Sequence, residues 1–325
     1  MNTPKIVTRP DEARDTVKDA IGESNLYIEA YGVHQNNEVS DYRVGKDDKV
    51  NYHYHDHGYE LFTILSGSVE CVLGGKRCIA RTGDMILVKP FTPHAFAYLE
   101  DGTIWQEVIL ELSLYENERS LGRVVQNCPE KLEDPEFMRR FQAGNGRRDY
   151  PGFPVLDSQL VEPRDMPGFR AKGDSYKSYS FPGITCNMKF GKWDLGGVKE
   201  VWELVLDRGY TLQWEFVHSP DLFVVKEGSV RVEVQNCETQ TARKGDIIHI
   251  PSYTRHTITA LEQNTVLHDF NCEMDLLMML EELTLRSADN PALRADEGFL
   301  AALKESHGCP VAWAGYSEEA RPSAT

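Results

Sequence analysis

The chain has 325 residues, with 35 Lys and Arg against 51 Asp and Glu for a formal net charge of −16, and 41% of its residues are hydrophobic. That length holds two domains of ordinary size, and the acidic balance argues against nucleic acid and anionic membranes as partners. No apolar run approaches the roughly 18 residues needed to span a bilayer, the amino terminus lacks a signal-peptide core, and the scattered, odd-numbered cysteines fit reduced thiols in a cytoplasm.

In chain order, residues 1–25 read as a polar lead-in with a short helix around Pro10 to Ile21. A first β-domain follows over 26–112. Its centre is His53-Tyr54-His55-Asp56-His57-Gly58-Tyr59-Glu60. Side chains two apart on a strand share a face, so His53 and His55 project together and Tyr54 points away. Glu60 has the wrong parity for an unbroken strand, and Gly58 is the natural place for the break. An apolar strand over Leu61 to Leu65 ends at the turn Ser66-Gly67-Ser68, and Val69 to Leu73 alternates into Gly74-Gly75, so a hairpin is expected. After the turn at Gly83-Asp84, Met85 to Val88 form a strand, and Pro90 to Pro93 make a rigid approach to His94.

Three imidazoles and one carboxylate, from His53, His55, His94 and Glu60, fill most of one transition-metal coordination sphere and leave room for a substrate. The expectation is one divalent transition metal in this domain. Imidazole with carboxylate suits Fe, Mn, Ni, Cu or Zn, and ligand identity alone does not choose among them. Counting in twos, Phe62 and Ile64 share parity with Glu60, and Phe96 and Tyr98 with His94. These four are candidates for an apolar substrate pocket around the metal, or for plain barrel core. His57 is a candidate for the rim, as a proton relay or a solvated loop residue. Cys71 and Cys78 flank the Gly74-Gly75 turn and read first as strand core.

Residues 113–181 interrupt the pattern. Pro135 to Phe141 read as a short helix, followed by a linker rich in Gly, Arg, Asp and Pro. Such a long connection covers a barrel mouth or packs against a partner domain. A second β-domain spans 182–271. Helical stretches from Met274 to Leu280 and from Asn290 to Leu303, broken at Gly298, occupy the tail over 272–325.

The two β-domains repeat one another. Gly228-Ser229-Val230 echoes Gly67-Ser68-Val69, and Gly245-Asp246-Ile247 echoes Gly83-Asp84-Met85, an offset of 245 − 83 = 162 residues. Similarity at that distance marks a duplicated domain. Aligned on Gly67 and Gly228, the second copy has Trp214 for His53, Phe216 for His55 and Asp221 for Glu60, and keeps His256 for His94. Trp and Phe do not bind first-row metals, so this second site reads as degenerate, with His218 as its one further candidate ligand.

The motifs resemble the cupin superfamily. Its first motif, His-x-His, four residues, Glu, six residues, Gly, is met by His53, His55, Glu60 and Gly67. Its second, from Gly to His through a Pro-containing bend, is met by Gly83, Pro90, Pro93 and His94. The family's leading Gly is Asp47 here, Lys89 stands at its Pro position, and no Gly occupies the bend before His94. The resemblance implies an all-β fold of two tandem double-stranded β-helix, jelly-roll-like barrels, a bicupin, with a partly helical linker and C-terminal helices. It also implies a small-molecule substrate and, from the family's habit, a homodimer. Three functions follow. The favoured one is a mononuclear non-haem dioxygenase of the quercetinase-like or diketone-cleaving kind, acting on a small aromatic or diketone-like substrate that Glu60 deprotonates. The aromatic residues of the first barrel and the two-barrel length support it. The second is non-redox Lewis-acid chemistry, as in cupin isomerases, lyases and decarboxylases. Here a phosphosugar looks disfavoured, because Lys76, Arg77, Arg81 and Lys89 sit near turns. The third is non-catalytic binding of a small molecule.

Overall fold

The computed structural model describes residues 5–18, 22–28, 37–110, 115–144, 146–149, 159–197, 199–212, 220–252, 254–272 and 276–307. They divide into two compact units. Asp11–Asp174 forms one, and the chain from Ser175 forms the other together with the residues before Asp11. The chain opens with β1 (Val7–Thr8), which belongs to the second unit.

The first unit contains β2 (Asp15–Lys18), β3 (Gly22–Ile28), β4 (Asn37–Val44), β5 (Lys49–His55), β6 (Tyr59–Ser66), β7 (Ser68–Leu73), β8 (Lys76–Arg81), β9 (Met85–Val88), β10 (His94–Tyr98) and β11 (Thr103–Leu110). After them come α1 (Tyr115–Asn127), α2 (Pro135–Gly144), β12 (Arg147–Asp149), β13 (Gln159–Leu160) and β14 (Phe169–Arg170). Two sheets result, in the orders β12-β5-β10-β7-β8-β13 and β14-β9-β6-β11-β4-β3-β2. Residues from both fill one apolar core, including Val50, Phe62, Ile64, Cys71, Ile86, Phe96 and Trp105.

Two local features set the register of the histidine-bearing strands. The β5–β10 ladder shifts between His94 and Phe96, so that His94 faces His53 while Phe96 faces Val50. One extra residue on β5 lets Val50 and His53, three apart, both point inward, which is what a bulge does. Gly67 joins β6 to β7 at φ 86. A Cβ there would lie 2.4 Å from Thr103 Oγ1, so only glycine fits. Gly228 repeats the arrangement against Thr265 in the second unit.

That unit contains β15 (Lys177–Phe181), β16 (Ile184–Phe190), β17 (Glu200–Leu206), β18 (Asp221–Glu227), β19 (Ser229–Val234), β20 (Gln240–Arg243), β21 (Ile247–Ile250), β22 (His256–Ala260) and β23 (Thr265–Cys272). Its sheets run β1-β21-β18-β23-β17-β16-β15 and β20-β19-β22. The helices α3 (Leu276–Ala288) and α4 (Glu297–Ser306) follow, and Leu276, Met279, Leu280, Leu283 and Leu303 enter the core of this unit. Met278 faces outward at 52% exposure, so the Met-rich stretch is only partly core. Gly298 does not break the last helix. It lies in the first turn of α4, which Asp296 caps through Phe299 N–H at 2.9 Å.

The expected all-β bicupin architecture is present, and three expectations need correction. Residues 15–18 and 22–28 are strands on the β4 edge rather than a helical lead-in. Asp, Glu, Ala and Arg gave Pro10 to Ile21 a helical look, but pairing through Thr16 and Val17 overrides propensity. The segment between the barrels is not only a linker, because β12, β13 and β14 each pair with a strand of the first unit. Finally, the amino terminus joins the second barrel, with Val7 opposite Ile248 on β21. The corresponding segment before the second barrel does the reverse, placing Phe169 opposite Ile86 on β9. Both pairs obey the same repeat offset, so each barrel takes an edge strand from the segment that precedes the other. Among the described residues, no helix is long and apolar enough to cross a membrane.

Candidate metal centre

β5, β10 and β6 bring the four sequence-predicted ligands together. His53 and His94 are direct cross-strand partners on β5 and β10. Glu60 comes from the opposite sheet, where β6 starts after Gly58 turns the chain at φ 79. All four side chains are buried, none more than 5% exposed. His53 Nε2 lies 3.1 Å from His55 Nε2. Glu60 Oε1 is 3.1 Å from His55 Nε2, and its Oε2 is 3.2 Å from His94 Nε2. The ligand nitrogens of His53, His55 and His94 all fall within 4.8 Å of one another, the spacing of a group that can hold a metal ion. Glu60 touches two of these three imidazoles.

The outer nitrogens fix the tautomers. His53 Nδ1 donates to Asn51 O at 2.7 Å, and His94 Nδ1 donates to Thr92 O at 2.8 Å. Each ring therefore turns a bare Nε2 lone pair inward, the usual outer-shell device for a metal-binding histidine. His55 can place its proton on Nε2 and bridge to Glu60, but the remaining atoms still face one another without a proton. Among the described residues, none donates to Glu60 Oε2. Lone pairs packed this closely in a dry site repel unless a cation sits among them. The donor set fits a divalent metal.

The electrostatics agree. Burial works against an ionised Glu60, but His55 and His94 outweigh it and hold the carboxyl well below the usual range. Burial pushes His53 well below the ordinary imidazole value, and the charge of Arg147 adds to the shift ahead of the neighbouring rings. An imidazole kept neutral and a carboxylate kept ionised are the protonation states that metal ligation needs.

The bend that delivers His94 is a turn in which Thr92 N–H donates to Lys89 O and Phe91 takes φ 59. Pro90 suits the second position of such a turn, while the third favours glycine. Phe91 occupies the position where the sequence lacks that glycine. Its N–H donates to His55 O at 2.7 Å, tying the bend to the ligand strand.

The candidate pocket residues lie in the barrel core, the second of the two readings their spacing offered. Phe62, Ile64, Phe96 and Tyr98 are 1–3% exposed and belong to the barrel core. Phe62 stacks on Trp105 at 4.4 Å between centroids, and Phe96 and Tyr98 meet the same indole edge-on at 4.9 and 5.3 Å. They form a packed floor, with Phe96 5.7 Å from the His94 ring. His57 sits in the loop after β5, more than half exposed and paired with Asp56. Cys71 and Cys78 are buried cross-strand neighbours, and burial raises both thiols, Cys78 to about 12.

In the second barrel, Asp221 and His256 repeat the Glu60–His94 contact at 3.0 Å, both buried. His256 Nδ1 likewise donates to Thr254 O. Trp214, Phe216 and His218 lie outside the described residues.

One residue at the first site escaped sequence reasoning. β12 pairs antiparallel with β5, placing Arg147 opposite His55 and Asp149 opposite His53. No motif announces it, and only the pairing of the interdomain segment with the ligand strand reveals it.

Comparison with known proteins supports this picture. Residues 41–104 match the family model described as a cupin domain. A search of curated protein sequences returned no match. Among solved structures, the chain is similar to the oxalate decarboxylase of Lactobacillus farciminis in its formate complex, at 14% identity, covering 91% of this chain and 97% of that one with a TM-score of 0.55. The oxalate decarboxylase of Bacillus subtilis gives 15% identity, 93% and 87% coverage, and a TM-score of 0.54; its Mn(II) centres have been described. The 11S globulin of Wrightia tinctoria, whose structure reveals an auxin binding site, gives 12%, 80%, 82% and 0.55. Identities this low speak to fold alone. Residues 41–104 thus match a cupin domain, and the chain has the two-barrel bicupin fold of these structures.

Proposed function

We propose that the protein is a metal-dependent lyase, a decarboxylase of a small carboxylic acid, with its metal held by His53, His55 and His94 and with Glu60 beside them. The observation that carries this is the set of bare Nε2 and carboxylate lone pairs converging in a dry site. Likeness along nearly the whole chain to bicupins that decarboxylate oxalate supports the reaction class. So does the donor set, which suits Mn(II) as well as the other first-row divalent ions. When bound, such an ion supplies Lewis-acid stabilisation of developing negative charge on substrate oxygens. Decarboxylation breaks one C–C bond, releases CO2 and leaves a carbon that takes up one proton. Glu60, held ionised, is placed to ligate or to accept a proton rather than to donate one.

The dioxygenase expected first drew on an aromatic lining. Those aromatic side chains pack against Trp105 in the barrel core, which favours the lyase reading over it. The test is elemental analysis of the purified chain, followed by incubation with oxalate and related small acids. About one divalent ion per chain, with CO2 and formate formed and no net oxygen consumed, is the expected result. Stoichiometric oxygen uptake with a flavonol or β-diketone and no CO2 from the acids would return the dioxygenase.

A further inference from the structure

The strand that follows α2 is fixed against the ligand strand more tightly than a connecting segment requires. Gly146, at φ 72 and buried, approaches so closely that a Cβ would lie 2.7 Å from both Asp56 Oδ1 and His57 Cε1. Asp56 N–H donates to Gly146 O at 3.2 Å. Arg148, opposite the outward-facing Tyr54, reaches Asp56 Oδ2 at 3.8 Å and Ala143 O at 3.0 Å. Between these anchors Arg147 stands directly across from His55. Opposed residues of an antiparallel pair share a face, with Cβ atoms about 5 Å apart. His55 points inward to Glu60, so Arg147 starts on the metal side of the sheet. It is half-buried.

We propose that Arg147 is the anion anchor of this site. Its guanidinium takes one carboxylate of the substrate, while the reacting end lies at His53, His55 and His94. A planar fork of donors matches a carboxylate in two-point contact. A half-buried cation on that face also selects for negative charge on entry. The substrate class is a small mono- or dicarboxylate short enough to span from β12 to the β5–β10 histidines. This assignment rests on the metal-dependent reading above.

The test is calorimetric titration of oxalate and malonate into the full-length protein loaded with Mn(II), with metal content measured for every sample. Arg147→Met keeps the length of the side chain without its charge, and Arg147→Lys keeps the charge without the fork. Hydrogen bonds to charged groups predict that Arg147→Met weakens oxalate binding by about tenfold to a hundredfold, with metal content unchanged. Arg147→Lys should recover part of that loss. Equal affinity in wild type and Arg147→Met would overturn the assignment, as would a wild-type protein that binds neither acid. Loss of metal in both variants would also overturn it, making Arg147 a support of the centre. Binding that depends on Arg147 but yields no CO2 would sustain the anchor and sink the decarboxylase.

Discussion

At the level of single residues, the two barrels separate what a histidine does for a metal from what it does for a fold. His94 and His256 are equivalent, each buried, each donating Nδ1–H to a carbonyl two residues back and each meeting a carboxylate. Among the described residues, only His94 has two further imidazoles within reach. His94→Ala should therefore strip most of the metal, while His256→Ala should leave metal per chain unchanged, as read by elemental analysis. Unaltered metal in His94→Ala would refute the ligand set, and a halved content in His256→Ala would establish a second centre. The four converging side chains were legible because their spacing is local. His53 and His55 are fixed by strand parity, and Gly58 corrects the parity for Glu60. Arg147 was not, because what places it is the register of β12 on β5, and no periodicity in the chain records a pairing across so long a separation.

At the level of elements, the motif glycines are where sequence and geometry meet most directly. Gly67 and Gly74 both have positive φ. Only Gly67 also faces an obstacle, Thr103 Oγ1 at 2.4 Å, whereas nothing lies within 4 Å of a Cβ on Gly74. Both alanine variants incur left-handed strain, and Gly67→Ala adds overpacking beside the buried Thr103. Gly67→Ala should lose about 2 kcal/mol or more in urea unfolding, and Gly74→Ala about half of that. Equal losses would show that backbone conformation, not the close approach, explains the motif glycine. The aromatic residues teach the opposite lesson. Period-2 counting assigned Phe62, Ile64, Phe96 and Tyr98 to the inward face correctly, but inward meant the floor beneath the histidines. Parity gives the face of a sheet and not the depth within a barrel, which here depends on Trp105 filling the centre.

Across the whole molecule, the exchange of edge strands decides which parts of the chain complete a barrel. Residues 11–174 contain every strand of the first unit, including β14. The second unit lacks β1 unless the amino terminus is present. Ile6 and Val7 are 1% and 7% exposed in its core, and His249 N–H donates to Ile6 O at 2.9 Å. Burying each of those side chains is worth about 1.5–3 kcal/mol, and their removal bares β21 as an unpaired edge. A chain starting at Asp11 should thus lose amide protection across Ile247–Ile250 in native-state hydrogen exchange. Met85–Val88, covered by β14, should keep its protection, and metal content should stay near the wild-type value. Equal loss at both strands would mean that the two barrels unfold as one cooperative unit, and unchanged protection at β21 would mean that β1 contributes little to the edge it covers. The duplication was legible from Gly67, Gly83 and their echoes. The exchange was not, because the lead segments Ile6–Thr8 and Gly168–Arg170 are too short to carry a strand pattern, and their pairing is set by the edge each one meets.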